Sequence, residues 1–351
     1  MLKKYRTIIP VAIIAISFAM TLSQSIPKVI PVVMMAIAAI LLIYTSRGTL
    51  YFSKASKALN KKEEGSMEKA IALYEKAYNA GLPYQYLFVV GTIFLQHGDI
   101  EKGKQALIDA TKATDKKLVF QATEALSMYY WIKKDLDKAI ELCIKARDMN
   151  LRDKNLYINL GSYYLAKGDT KEFKHVLKEA FKYKQESSAL IDMQAQCLML
   201  TGDWHRAGNF LHTLFTQTTP AYIDPYIHFA YVYMHYGDVD MARKYLSDCL
   251  EKASFSNMSL YSKEDIEEMI AALDNEKTRW AFVDNATANV LASFNGVMPS
   301  YNREITKPEF EALPTFAAEG KMQEEINEKA ENEPDTSLNE EDEIWLQNHQ
   351  D

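Results

Sequence analysis

Only three cysteines occur in 351 residues, Cys143, Cys197 and Cys249, and no two are close in sequence. That scarcity excludes a disulfide framework and a Cys-x-x-Cys redox or zinc motif, and it suits a reducing compartment. Other chemical signatures are missing as well: there is no His-Glu-x-x-His run, no glycine-rich phosphate loop and no nucleophile elbow. His205 and His212, like His228 and His235, are seven residues apart, and two helical turns is too far for a shared metal. No catalytic residue, cofactor or metal is therefore expected. A different absence marks the amino end, where Thr7 to Leu22 and Val29 to Thr45 carry no charged side chain.

What the middle of the chain does contain is a recurring turn. Asp99, Asp135, Asp169, Asp203 and Asp238 succeed one another at steps of 36, 34, 34 and 35 residues, and Gly precedes four of the five. Eight positions before each aspartate stands a small residue, Gly91, Ser127, Gly161, Ala195 or Ala230. Five before it stands a large one, Phe94, Tyr130, Tyr164, Leu198 or Tyr233. After the turn, Ala139, Ala207 and Ala242 lie four residues on and Ala110, Ala146 and Ala180 eleven on, with Leu107, Leu177, Leu211 and Leu246 between. Spacings of three and four place these residues on one helical face, so the period is that of a helix–turn–helix array whose pairs bury their apolar faces against each other.

The small, aromatic, small pattern in a unit of this length resembles the tetratricopeptide repeat family. The resemblance covers residues 47 to 254, with an earlier unit in Ser66-Met67-Glu68-Lys69-Ala70, Tyr74 and Ala77. It implies an all-α solenoid of about six units. Gly103 and Phe173 depart from the Ala after the turn, and Leu214 and Cys249 from the later one. Ser262 to Asp265 then begins a closing helix with the look of a capping box. In that family the first helix of each unit lines an inner groove. Carried over, the groove positions are Phe88, Thr92 and Leu95; Glu124, Met128 and Trp131; Ile158, Ser162 and Leu165; Asp192, Gln196 and Met199; and Ile227, Tyr231 and Met234. None is basic, which argues against a carboxylate clamp and for an apolar helix or extended segment of a protein partner. The apolar members, Phe88, Leu95, Met128, Trp131, Ile158, Leu165, Met199, Ile227, Tyr231 and Met234, are the expected binding residues.

The two uncharged runs read as two membrane spans joined by the connector Ser23 to Lys28, a hairpin over residues 1–46. A second reading makes the first run a signal peptide cut after Ala19. Lys3, Lys4 and Arg6 precede the first run, and Arg47, Lys54, Lys57, Lys61 and Lys62 follow the second. This asymmetry predicts that both termini and the repeats are cytoplasmic. Residues 47–280 are then the solenoid with its closing helix. From Tyr301 onward fifteen acidic side chains face four basic ones, and the formal charge of the whole chain is −7. Residues 281–351 accordingly read as a mostly disordered acidic tail. Its apolar exceptions, Val290 to Phe294 and Ile344-Trp345-Leu346, are candidate docking motifs. The expected function is a membrane-anchored scaffold that binds proteins, without nucleic acid or a small-molecule substrate. The alternative is a structural subunit of a membrane complex in which the hairpin makes the main contacts.

Overall fold

The computed structural model describes residues 8–23, 26–61, 63, 65–183 and 187–317, and their regular structure is helical. The helices are α1 (Ile8–Thr21), α2 (Val29–Leu59), α3 (Ser66–Ala80), α4 (Tyr84–His97), α5 (Ile100–Ala110), α6 (Lys116–Ile132), α7 (Leu136–Arg147) and α8 (Lys154–Ala166). They continue with α9 (Thr170–Lys182), α10 (Ser188–Leu200), α11 (Trp204–Gln217), α12 (Asp224–His235), α13 (Val239–Lys252), α14 (Lys263–Asp274), α15 (Arg279–Ala288) and α16 (Val290–Ser293). Two compact units result. The first holds the chain up to Leu151 together with Ser256–Met258, and the second holds Arg152–Phe255 and the chain from Ser259.

The recurring aspartates are helix caps. Asp99, Asp135, Asp169, Asp203 and Asp238 each accept backbone N–H groups of the helix that follows, at 2.9–3.2 Å. Each thereby satisfies donors that an isolated helix start leaves open. In four of the turns the aspartate's own N–H donates to the carbonyl of the large residue five positions back, as from Asp169 to Tyr164 at 2.9 Å. This hydrogen bond needs a left-handed residue between them. Gly168, Gly202 and Gly237 supply it, and Lys134 takes the same conformation at φ 61°. The small residues sit where helices approach: a Cβ on Gly161 would lie 2.9 Å from Met193 Sδ and 3.3 Å from the Phe173 ring. Repeat spacing in the sequence thus becomes paired helices, α2 with α3, α4 with α5, α6 with α7, α8 with α9, α10 with α11 and α12 with α13.

At the amino end the structure differs from two equal spans. Among the described residues one helix, α2, is long and apolar enough to cross a membrane, whereas α1 has 14 residues and packs against α2. The boundary expected at residues 46 and 47 falls inside α2, which runs on unbroken to Leu59. Its later half is the first helix of the first pair: Ala55 and Ala58 are buried in a cluster with Tyr74, Val90 and Phe94. Gly48 permits the approach, because a Cβ there would lie 2.4 Å from the Gly81 carbonyl oxygen.

The closing helix α14 carries the reciprocal capping box of Ser262 and Asp265. The start of a disordered tail at residue 281 needs correction. That position lies within α15, whose Ala281, Phe282, Val283 and Ala286 are buried in the core of the second unit. Short α16 and residues up to 317 follow it onto the same unit. Packing against α12 and α14 supplies order that the weak periodicity of this stretch did not announce. Ile344, Trp345 and Leu346 lie outside the described residues.

Candidate functional site: the inner face of the helix pairs

First helices α4 and α6 in the first unit, and α8, α10 and α12 in the second, carry the expected groove residues. The structure brings them together by unit. Phe88, Leu95 and Met128 share one apolar cluster in the first unit, and Met199, Ile227, Tyr231 and Met234 share the main core of the second. Their expected openness is corrected, however. Leu95, Met128, Trp131, Leu165, Met199, Ile227, Tyr231 and Met234 are all buried, while Phe88, Thr92, Ile158 and Ser162 remain partly exposed. The chain itself covers the face, and it does so differently in each unit.

In the first unit the cover is the short segment 256–258. The Asn257 backbone N–H donates to the Gln96 carbonyl at 2.7 Å, and Asn257 Nδ2 donates to the Gly98 carbonyl at 3.1 Å. Trp131 Nε1 donates to the Met258 carbonyl at 3.4 Å, and the Met258 side chain packs on the Leu95 and Met128 cluster. The inner face thus holds a short turn by hydrogen bonds that each engage a backbone group, and by one methionine.

In the second unit the cover is α15, α16 and Phe294. Phe294 is buried and its ring meets that of His228 edge to face, centroids 5.1 Å apart. Tyr261 Oη lies 3.1 Å from the Ser293 carbonyl and 3.0 Å from that of Val297, with Tyr231 Oη 3.2 Å away. One groove tyrosine therefore anchors the cover through a second tyrosine. Burial pushes the Tyr231 hydroxyl up to about 12, so it stays a neutral donor. Beyond the helices, Phe310 lies over Gly237 and Phe316 over Gly208, positions where a Cβ would come within 2.5 and 2.1 Å of the rings. Val290 to Phe294, an apolar cluster in the sequence, is thus a docking segment whose site is on the same chain.

Beneath Phe294 lies a polar cluster that the sequence did not reveal. Asp192 Oδ1 is 2.7 Å from His228 Nδ1, and Gln196 Nε2 donates to Asp192 Oδ2 at 3.3 Å. All three side chains are buried. Gln196 Nε2 also lies 3.3 Å from His228 Nδ1, so the three side chains form one buried network. Among the described residues no hydrogen bond reaches His228 Nε2 or Asp224 Oδ1, both closed off from water. Burial raises the Asp224 carboxyl to about 6, the nearby Asp192 adding to it and His228 opposing. An aspartate holding a histidine is half of a nucleophile-activating arrangement, but no hydroxyl or thiol donates to Nε2. The cluster holds α10 to α12. Asp192 and His228 stand at neighbouring register positions, eleven and ten residues before their turn aspartates, which is the signal that would have paired them.

His97 and His235 are half-buried, and burial lowers both. His235 stacks flat on Trp204, with ring centroids 4.2 Å apart. The three cysteines are buried thiols outside any disulfide. Among the described residues no group of His, Cys, Asp or Glu is arranged to hold a metal ion.

Comparison with curated proteins finds no match to the sequence. Residues 155–187, which contain the pair α8 and α9 with Gly161 and Asp169 at the small and capping positions, match the family model of the tetratricopeptide repeat, a match that supports that family for the helix pairs.

Proposed function

We propose that this protein is a non-enzymatic, membrane-anchored repeat scaffold whose inner face binds short apolar segments of partner proteins. The observation that carries this reading is what the inner faces already hold: a short turn ending in Met258 and a buried Phe294, both taken from the same chain. A surface that accepts such segments in cis has the chemistry to accept them in trans, with main-chain hydrogen bonds for affinity and an aromatic or methionine anchor for selectivity. Phe88 and Ile158, partly exposed, are the points where a partner first gains access. Leu95, Met128, Trp131, Leu165, Met199, Ile227, Tyr231 and Met234 are reached when the cover yields.

The anchor in this reading is α2, with α1 packed beside it as the second arm of a hairpin. The basic residues that follow the uncharged stretch of α2, Arg47, Lys54, Lys57, Lys61 and Lys62, support a cytoplasmic position for the repeats and both termini. The rival arrangement, in which the hairpin makes the decisive contacts with other membrane proteins, relies on small residues such as Ala36, Ala38 and Ala39. Ala38 is fully buried within the chain, so part of that stripe is already used.

A photoreactive residue at Phe88 or Ile158 of the full chain in its native membrane tests the reading. Both positions are expected to yield the same discrete protein adduct. An adduct pattern identical to that from exposed Glu141 on α7 would overturn it. Topology is checked by labelling Asn150→Cys with an impermeant maleimide in sealed vesicles of known orientation, where reaction only from the far side would overturn the cytoplasmic assignment.

A further inference from the structure

The uncharged part of α2, Val29 to Ser46, is about 27 Å long at about 1.5 Å per residue, close to the hydrocarbon thickness of a bilayer. Arg47 is the first charged residue after it, and its guanidinium lies over the Tyr44 ring at 4.0 Å. The headgroup layer is therefore level with the next turn of α2, at Gly48. Because α2 continues straight into the first helix pair, whatever packs on Gly48 has its height above the bilayer fixed.

What packs there is the connection between α3 and α4. The Gly81 carbonyl sits against Gly48, and the Tyr86 ring meets Phe52 one turn further along α2, centroids 4.6 Å apart. The end of α5 comes to the same level: Leu82 packs on the cluster of Leu87, Ala106, Ala110 and Ala122, and the Tyr84 phenol is within electrostatic reach of the Lys112 ammonium. One edge of the first unit thus gathers Gly81–Tyr84 and Thr111–Lys117. Tyr84 is 39 % exposed, and Lys112, Lys116 and Lys117 are exposed. The acids of this edge are engaged: Asp109 pairs with Lys112 at 2.5 Å, and Asp115 caps α6 through the N–H groups of Lys117 and Leu118. Among the described residues neither Lys116 nor Lys117 forms an ion pair.

We propose that this edge rests on the headgroups of an anionic bilayer, with Lys116, Lys117 and Lys112 meeting lipid phosphate and Tyr84 lying at the interface. Tyrosine is enriched at that depth, and lysines there are drawn to anionic lipid over a distance of a Debye length. The contact fixes the first unit upright on the membrane by two points, α2 and the lysine edge. The inference rests on the reading of α2 as a membrane span.

The test uses the full chain reconstituted into vesicles of phosphatidylcholine, with or without about one quarter phosphatidylglycerol. Single cysteines carry an environment-sensitive fluorophore at Thr114, at Asp137 on the first turn of α7, and at lipid-facing Ile43, the native thiols being buried. Nitroxide on the lipid headgroup is expected to quench the Thr114 probe by about half in anionic vesicles, less without anionic lipid or at high salt, and to leave the Asp137 probe unchanged. The triple variant Lys112→Glu, Lys116→Glu, Lys117→Glu should abolish the difference between the two lipids. A Thr114 probe no more quenched than Asp137, with Ile43 quenched by acyl-chain nitroxide, overturns the lysine edge alone. An unquenched Ile43 probe overturns the membrane reading itself.

Discussion

The first unit covers its inner face with three residues held by backbone and amide hydrogen bonds, while the second covers its own with two helices and a phenylalanine sunk into the core. The chemistry of the two covers differs accordingly. Main-chain hydrogen bonds exchanged with water contribute modestly to stability, about 0.5–1.5 kcal/mol each. A fully buried aromatic side chain contributes several times that through area and packing. In the second unit, cover and core are one cluster, which includes Phe282, Val290 and Phe294 together with Ile227, Tyr231 and Met234. In the first, Asn257 and Met258 lie on a face that would remain packed without them, since Leu95 and Leu107 are buried among α4, α5 and α6 side chains. The second cover is therefore part of the fold, and the first is the more readily displaced.

The strongest way to break that contrast is Phe294→Ala. Emptying this site should cost about 3–5 kcal/mol, read as an earlier denaturant midpoint for the second unit in the detergent-solubilised full chain. A loss below about 1 kcal/mol would mean the cover is as loosely held there as in the first unit.

A second, smaller effect sharpens the electrostatics under the same cover. Asp224 has its carboxyl raised to about 6 by burial, against about 3.9 in an unfolded chain. The folded state therefore holds a proton that the unfolded state releases between those values. Stability is fully retained below about pH 4 and falls as pH rises through 6. Replacing Asp224 with Asn should stabilise the second unit by about 1–3 kcal/mol at pH 7.5 and by little at pH 4.5. Equal effects at the two pH values, measured by chemical denaturation, would show that the carboxylate is solvated.

The smallest effect belongs to the first unit. Trp131→Phe keeps most of the ring and removes the N–H that Met258 accepts, and a loss of about 0.5–1.5 kcal/mol is expected. Hydrogen exchange at the Asn257 amide should accelerate while amides of α4 and α6 keep their protection. Loss of protection throughout α4 would make the segment integral to the unit and erase the difference between the two covers.

The turns were legible because their physics is local. An aspartate reaching its own helix start needs only the next few residues, so Asp135 or Asp203 announces a helix start wherever it stands. The paired faces were legible for the same reason, since spacings of three and four fix which side chains share a surface. Residues Val290 to Phe294 stood out as apolar, but five residues have too little period to state a destination. Their burial depends on Tyr261, His228 and α12, which lie up to 70 residues away in sequence. The tail boundary failed at residue 281 through the same blindness, since α15 has little amphipathic pattern of its own and is ordered by what it lies against.

The amino-acid sequence alone determined the period of the helix pairs, the aspartate caps, the small positions at close approaches such as Gly161, and the presence of an apolar helix at Val29. Each follows from hydrogen bonds or side-chain volumes within a turn or two of chain. Tertiary structure alone decided that α2 runs unbroken from the apolar stretch into the first pair, that Asp192 meets His228 in the buried core, and that the inner faces are already occupied. Those outcomes depend on which distant segment reaches a surface first and excludes water from it, a competition among long-range contacts that no local spacing encodes.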